Sequence, residues 1–468
     1  MKNKIIYAIG WVLLLIVSGC SDWLSVSPRT EKPTEQLFET QNGFRDALTG
    51  AYIEMMSDKS YGEYLTMSKI EYLVDFWDPE KGSGEEALTL HRYSDAQAVT
   101  MIDALYEQQY KVILAVNAIL EYVDLRQAIF DPGAYEAVKG ECLALRAMCH
   151  LDILRLFGPV PAEATSVPIL PYVETVTKEL HRHVNFDGYK ARLIADLENA
   201  EGLLKQHLEK QSEIEEDYFK YRTIRMNYYA VKALKARVYL WADNKAEAYR
   251  EAKAVTAVQE QWFPWTERRE IMDNTRNPDR IFSSELLFAA YYNAREEIFT
   301  NYFSPTLEPA QVYSPKKHID DLFTWDLLDW RNRPIWLEGT TRDYRCFHKY
   351  EDVSSTEVWT KLIPLIRMTE MYYIIAETAT DETEALDALN TVLFNRGVKE
   401  LEDKTQLAGM LRDEYRREFF GEGQLFFYYK RLNVKVLHSY SENADLDMDA
   451  AKYVVPLPLS ETDFRYEL

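Results

Sequence analysis

Glycine and proline are both scarce in this chain, at 17 each among 468 residues. So few breakers argue against a glycine-punctuated sheet and, with abundant Ala, Leu, Glu and Arg, for helices. Positive charge is short as well: 54 Lys and Arg against 76 Asp and Glu leave a formal charge of −22. That balance argues against nucleic acid and against an anionic membrane surface, which both reward clustered cations. Only four cysteines are present. Cys142 and Cys149 lie seven apart on a predicted helix, about 10.5 Å along its axis, beyond the about 7 Å that a disulfide spans. With Cys20 set aside, Cys346 completes an odd set, so no disulfide framework holds the fold and the thiols read as small core hydrophobes.

Catalytic signatures are missing too. There is no HExxH, GxSxG, Walker loop or GxGxxG. Ser314-Pro-Lys-Lys317 fits SxxK formally, but proline directly after the serine spoils a helical nucleophile. His181 and His183 can share one side of a strand, yet further metal ligands are not evident nearby. Asp445, Asp447 and Asp449 alternate like the opening of a calcium loop, but Ala450 and Pro456 stand where glycine and glutamate are needed. A solvated acidic loop accounts for them. No cofactor and no metal are expected.

Lys2 and Lys4 precede an apolar run from Ile5 to Val17, whose 13 residues fall short of the about 20 that a membrane span needs. The length suits a secretory signal. Val17-Ser18-Gly19-Cys20 has the form of a lipobox, which predicts removal of residues 1–19 and a lipidated Cys20. The alternative is an ordinary signal peptide with a chance cysteine. Residues 20–39 read as a tether.

Helical spacing then dominates. Phe44, Leu48, Tyr52 and Met55 mark an amphipathic helix from Thr40, and Met101 to Val123 mark another. Val138, Cys142, Leu145, Cys149, Ile153 and Leu156 step by three and four until Gly158-Pro159 stops the helix. Asn227 to Val258 reads as two helices broken at Asp243-Asn244, with Ala236, Tyr239 and Ala248 at tetratricopeptide-type spacing. Ala376 and Ala388, with Asp381-Glu382 at the break, form a possible second copy. Between Gln261 and Lys361 the periodicity weakens, prolines recur, and six of the ten tryptophans concentrate. Long irregular structure of this kind carries binding function on a rigid scaffold.

Aromatic faces suit sugar rings, and polar rims suit their hydroxyls. Two regions offer that mixture, Asp75 to Tyr93 and Trp325 to Tyr350, although each tryptophan taken singly can equally be core.

Several segments together resemble the SusD/RagB family of outer-membrane nutrient-binding lipoproteins of Bacteroidetes. They are Cys20 to Pro28, the first helix Thr40 to Tyr52, and Glu141 to Pro161 with its RA…L…FG-x-VP ending. Ile366 to Glu377, the block Glu414 to Arg431, and Tyr453 to Glu461 continue the pattern in order. Departures are Tyr428 or Tyr429 in place of an aspartate, and Asp463-Phe464 in place of a closing Asn-Pro. Glu414, Arg417, Glu418 and Glu422 read as ion pairs orienting a packed helix rather than as ligand contacts.

The resemblance implies an all-α scaffold of tetratricopeptide-like helix pairs with long irregular ligand-binding loops, in one domain at 40–468. The helical scaffold would occupy 40–260 and 361–435, the Trp-rich region 261–360, and a closing segment 436–468. It implies capture of an oligosaccharide without bond chemistry, at the outer membrane, and delivery to a SusC-like TonB-dependent transporter over which the protein sits as a lid. The expected ligand contacts are Trp77, Tyr93, Trp325, Trp330, Trp336 and Tyr344 for stacking, with Asp75, Arg92, Arg342 and Asp343 as polar partners. A peptide-binding relative, an exported glycoside hydrolase and a lid with a degenerate site are the alternatives.

Overall fold

The computed structural model describes residues 34–74, 77–205, 222–272, 277–307, 316–323, 328–339, 344–439 and 442–463. The expected positions Cys20, Asp75, Trp325, Arg342 and Asp343 lie outside them. Helices begin where a side chain satisfies the free N–H groups of a first turn. Thr40 does this for α1 (Gln41–Met55), its hydroxyl accepting from the Gly43 N–H at 3.1 Å. Asp95 caps α2 (Ala96–Val123), and Asn185 caps α4 (Phe186–Leu204). Between them α3 (Ala134–Phe157) runs buried along nearly its whole length, against α2 and α4, and stops at Gly158 as its sequence predicts. Cys142 and Cys149 are buried free thiols on it.

The two helix pairs form where the small residues allow close approach. Asn227 starts α5 (Tyr228–Trp241): its Oδ1 accepts from the N–H groups of Tyr229 and Ala230, while its Nδ2 donates to the Leu287 carbonyl at 2.9 Å. The chain turns through Asp243, in the left-handed region at φ +55°, and enters α6 (Lys245–Thr256). The second pair is α8 (Met368–Thr378) and α9 (Glu382–Phe394), with α8 packed on α6. Ala236, Ala248, Ala376 and Ala388 are all buried in these contacts. Among the described residues, no helix is long and apolar enough to cross a membrane.

The mid-chain region contains more regular structure than its sequence suggests. Strand β3 (Leu286–Tyr291) pairs antiparallel with β6 (Leu362–Arg367), with register irregularities on either side of Phe288. Both strands are continuous apolar runs buried on two faces, so no alternation announces them. Short pairs join β1 (Leu170–Pro171) to β2 (His183–Val184), β4 (Trp336–Glu338) to β5 (Arg345–Phe347), and β7 (Val436–Ser439) to β8 (Ala444–Asp447). A helix α7 (Lys316–Phe323) lies between β3 and β4. Because β3 pairs with β6, the tryptophan-rich segment is stitched into the helical scaffold rather than laid over it.

The strongest stitch is ionic. From α10 (Leu407–Glu418) and the turn before α11 (Leu425–Leu432), the carboxylates Glu414, Glu418 and Glu422 point into the interior. Arg331 bonds Asp329 at 2.7 Å, Glu414 at 2.8 Å and Glu418 at 2.9 Å. Arg396 bonds Glu285 at 2.6 Å and Glu418 at 2.8 Å. Arg367 pairs with Glu418 and with Glu422, while Lys349 pairs with Glu422 and Arg417 with Glu414. Five cations thus face five carboxylates, and a buried charge is tolerable only when balanced in this way. Burial pushes the Glu418 carboxyl up, but the guanidiniums of Arg396, Arg367 and Arg331 outweigh it and hold the group well below the usual carboxylate range. The ion-pair reading of Glu414, Arg417, Glu418 and Glu422 is what the structure contains.

Replacing Glu418 by Ala leaves three buried guanidiniums short of a partner. We expect a loss of about 3–5 kcal/mol in urea-unfolding free energy. A loss under about 1 kcal/mol contradicts the assignment.

Candidate functional site

Two segments meet beside the helical body: the turn-rich stretch that follows α1, and the chain that leaves β3. The first is tied down by its polar side chains. Tyr61 donates to Asp152 at 2.7 Å, and Ser68 donates to Glu63 at 2.7 Å. Glu71, fully buried, accepts from the N–H groups of Gly421 at 3.1 Å and Gly423 at 2.8 Å. Those two glycines have φ of +70° and +69°, and a Cβ at position 423 would stand 2.0 Å from the Leu65 carbonyl oxygen. Only glycine allows the two chains to come so close. The second segment is held by Arg295, 1% exposed, whose Nη1 donates to the Leu362 carbonyl at 2.9 Å.

Where the end of α1 and the start of the turn-rich stretch face β3 and the chain leaving it lies an open cleft of about 700 Å³, lined by Tyr52, Ile53, Met56, Asp58, Arg225, Phe288 and the run Ala289 to Ala294. The Tyr52 hydroxyl is fixed by donating to Glu141 at 2.8 Å and accepting from the Met226 N–H at 2.8 Å, which locks its ring at the wall. Tyr291 is 41% exposed. Nearby, Tyr64 and Tyr302 are half-buried, and the Lys69 ammonium sits 5.2 Å and 5.4 Å from their ring centroids. Burial, followed by Glu63, Asp58 and Glu85, pushes the Tyr64 phenol up to about 12. Tyr292 is raised by burial and then by Asp58 and Glu63, so one set of carboxylates acts on both rings. Aromatic faces with a few carboxylate, amide and guanidinium groups make a surface suited to a polyhydroxylated ring, in a volume typical of small-ligand sites.

Of the expected tryptophans, the three that are described, Trp77, Trp330 and Trp336, are elsewhere. Trp77 and Trp336 are 1% and 3% exposed, which corrects the stacking role expected for them. They belong to one buried aromatic cluster: Trp77 and Trp336 lie 5.0 and 4.8 Å from Phe420, and Trp336 lies 4.8 Å from Phe347. Tyr93 is corrected likewise, being 8% exposed and donating to the Lys452 carbonyl at 2.6 Å, where it clips the closing segment. Trp330 is half-buried against Gly397, where a Cβ would meet its indole nitrogen. Arg92 is exposed and pairs with Glu86 at 3.2 Å, and Tyr344 is half-buried just before β5. None of these lines the tyrosine cleft.

The residues that do line or flank it, Tyr52, Tyr64, Tyr291, Tyr292 and Tyr302, went unselected because tyrosine is common here. One signal was readable: Tyr291-Tyr292-Asn293 follows directly on the apolar run Leu286–Ala290, where a buried strand ends. Other candidate chemistry is structural. His183 contacts Glu461 at 2.8 Å, His438 contacts Asp445 at 3.1 Å, and Asp449 caps a short helix. Among the described residues no group of His, Cys, Asp and Glu is arranged to hold a metal.

Residues 22–240 match a SusD-like family model described as starch-binding and associating with the outer membrane, and residues 330–458 match the SusD family model. The chain belongs to the SusD/RagB family. Two SusD-like proteins of Formosa agariphila are 26% identical over 191 residues and 23% over 167, covering 40% and 34% of this chain. The matched stretches span only 36% and 31% of those relatives. Solved structures agree in fold along nearly the whole length. A SusD superfamily protein of Bacteroides thetaiotaomicron superposes with a TM-score of 0.74 at 20% identity, over 91% of this chain and 98% of that one. A SusD-like carbohydrate-binding protein of Bacteroides vulgatus gives 0.71 at 16% identity, over 92% and 97%. Surface glycan-binding protein A of Bacteroides thetaiotaomicron gives 0.69 at 17%, over 92% and 98%.

Two outcomes follow from the geometry. Burial raises the Glu71 carboxyl to about 7, against the pull of the Gly421 and Gly423 N–H groups. The folded protein therefore holds this proton more tightly than the unfolded chain, and the stability Glu71 contributes is full below about pH 4.5 and lost as pH rises through about 7. The stability difference between the parent and Glu71→Gln should fall by about 3 kcal/mol across that window; a flat difference refutes the shift. Trp336→Ala should cost about 3–5 kcal/mol of stability, as expected for a buried aromatic, and a melting temperature equal to the parent's would return Trp336 to the surface.

Proposed function

We propose that the protein captures a glycan without cleaving it, at the outer membrane, and delivers it to a SusC-like TonB-dependent transporter that it covers as a lid. Cys20, once lipidated, holds the body to the membrane on the outer face through the chain that follows it. The expected tether 20–39 is shorter at its far end, because Thr34–Leu37 is helical and Phe38 is buried against Phe44 and Tyr122. The observation that carries the reading is the tyrosine-lined cleft, built by an early segment and a mid-chain segment on a rigid helical frame. Membership of the SusD/RagB family supports it, as does the fold shared with carbohydrate-binding proteins. Rings at the wall stack on sugar C–H faces, while Asp58 and Asn293 serve the hydroxyls.

A peptide-binding reading has one observation of its own. Strand β3 pairs with β6, and its residues Phe288 to Tyr291 also line the cleft, an arrangement that can add an extended chain by strand pairing. A binding screen with neutral oligosaccharides and oligopeptides separates the two.

The double variant Tyr64→Ala and Tyr292→Ala should weaken the best oligosaccharide at least about tenfold in calorimetry, or about 1.4 kcal/mol, at an unchanged melting temperature. Unaltered affinity removes the cleft from the account, and turnover of the bound glycan overturns the non-catalytic reading.

A further inference from the structure

A second open cleft, of about 750 Å³, lies where β4, β5 and α7 meet the segment before β3. Three of its lining residues are Arg280, Arg333 and Arg345, in a chain whose formal charge is −22. Each guanidinium keeps donors unused by the described residues. Arg280 is 8% exposed; its Nε donates to the Pro334 carbonyl at 2.6 Å and its Nη2 pairs with Glu351 at 2.8 Å, yet its Nη1 has no partner. Arg345 spends only Nη2 on the Asn332 and Trp336 carbonyls, each at 2.9 Å, and on the Asn332 side chain. Arg333 is exposed and has no hydrogen bond or ion pair among the described residues.

The carboxylates at the rim do not satisfy this set. Asp320 and Glu338 are exposed and line the same cleft. Burial still lowers the Arg345 pKa despite their opposing pull, and Arg333 acts in the same direction as burial. A buried donor without an acceptor is costly, and a planar guanidinium fork matches the two oxygens of an oxyanion. The buried Trp336 at the wall supplies a rigid apolar back to the polar opening.

We propose that this cleft is an oxyanion site, separate from the tyrosine cleft, that holds the carboxylate or sulfate of an acidic sugar. Arg333 is the residue that meets the anion from solvent, and Arg280 and Arg345 receive it at the base. The site selects acidic over neutral glycans, and its occupancy falls as salt rises, because the attraction at the cleft mouth is screened.

The test is calorimetry on the whole protein with trigalacturonate, a sulfated oligosaccharide and the carboxyl-reduced neutral trisaccharide. We expect saturable binding of at least one acidic probe, at least tenfold weaker binding of the neutral one, and a loss of affinity between 50 and 300 mM NaCl on the order set by screening. Arg333→Ala should weaken the acidic probe at least tenfold at an unchanged melting temperature, and Arg333→Lys should lose less. The Tyr64 and Tyr292 double variant should bind the acidic probe as the parent does, so failure here and failure of the tyrosine cleft read out separately. Which acidic probe binds tells carboxylate from sulfate. Equal binding of acidic and neutral probes, no binding of either acidic probe, or an Arg333→Ala affinity equal to the parent's overturns the proposal.

Discussion

Glu418 and the ions around it are the constraint on which the rest of the molecule depends. One carboxylate on α10 is shared by Arg331, Arg367 and Arg396, which arrive from the loop before β4, the end of β6 and the turn after α9. A hydrophobic contact in that position could slide. A balanced set of ten charges with little exposure to solvent cannot, because any displacement strands a charge. The mid-chain region has few long helices of its own, and this network gives it one fixed position on the helical scaffold.

The network also reaches the candidate site. Glu422 is bonded to Lys349 and Arg367, and the glycines on either side of it present their N–H groups to Glu71. Glu71 belongs to the segment that bears Tyr64 and Lys69, so the ring that flanks the tyrosine cleft on its early side is referenced to the same ions as the mid-chain wall. Away from the cleft, the buried cluster of Trp77, Trp336, Phe347 and Phe420 packs the early chain against the mid-chain region. The stacking we propose needs rings held at fixed separation, and this layer supports that.

The helices were legible because their signals are local. Thr40, Asp381 and Gly158 mark ends by capping chemistry, and Ala236, Ala248, Ala376 and Ala388 mark where helices touch. Strands β3 and β6 were hidden because a strand buried on both faces has no alternation to read. Trp77 and Trp336 were read as platforms for a related reason: tryptophan is large enough to serve as core or platform, and burial, which decides between them, depends on partners far away in sequence. Trp77 meets Trp336 and Phe420 across more than two hundred residues, and no local pattern announces that meeting. Glu414, Arg417, Glu418 and Glu422 were easier, since so many charges close together on a helix of mixed polarity need partners.

The central claim is that a glycan lies between the early segment and the mid-chain segment, on tyrosines and not on the tryptophans. A crystal structure with a bound oligosaccharide tests it most directly. The account predicts a sugar ring packed on Tyr291 or Tyr292, or against Tyr64 and Tyr302, with Asp58 or Asn293 within hydrogen-bond distance of a hydroxyl. Neutral oligosaccharide seated against Trp330, with the tyrosine cleft empty, would contradict it.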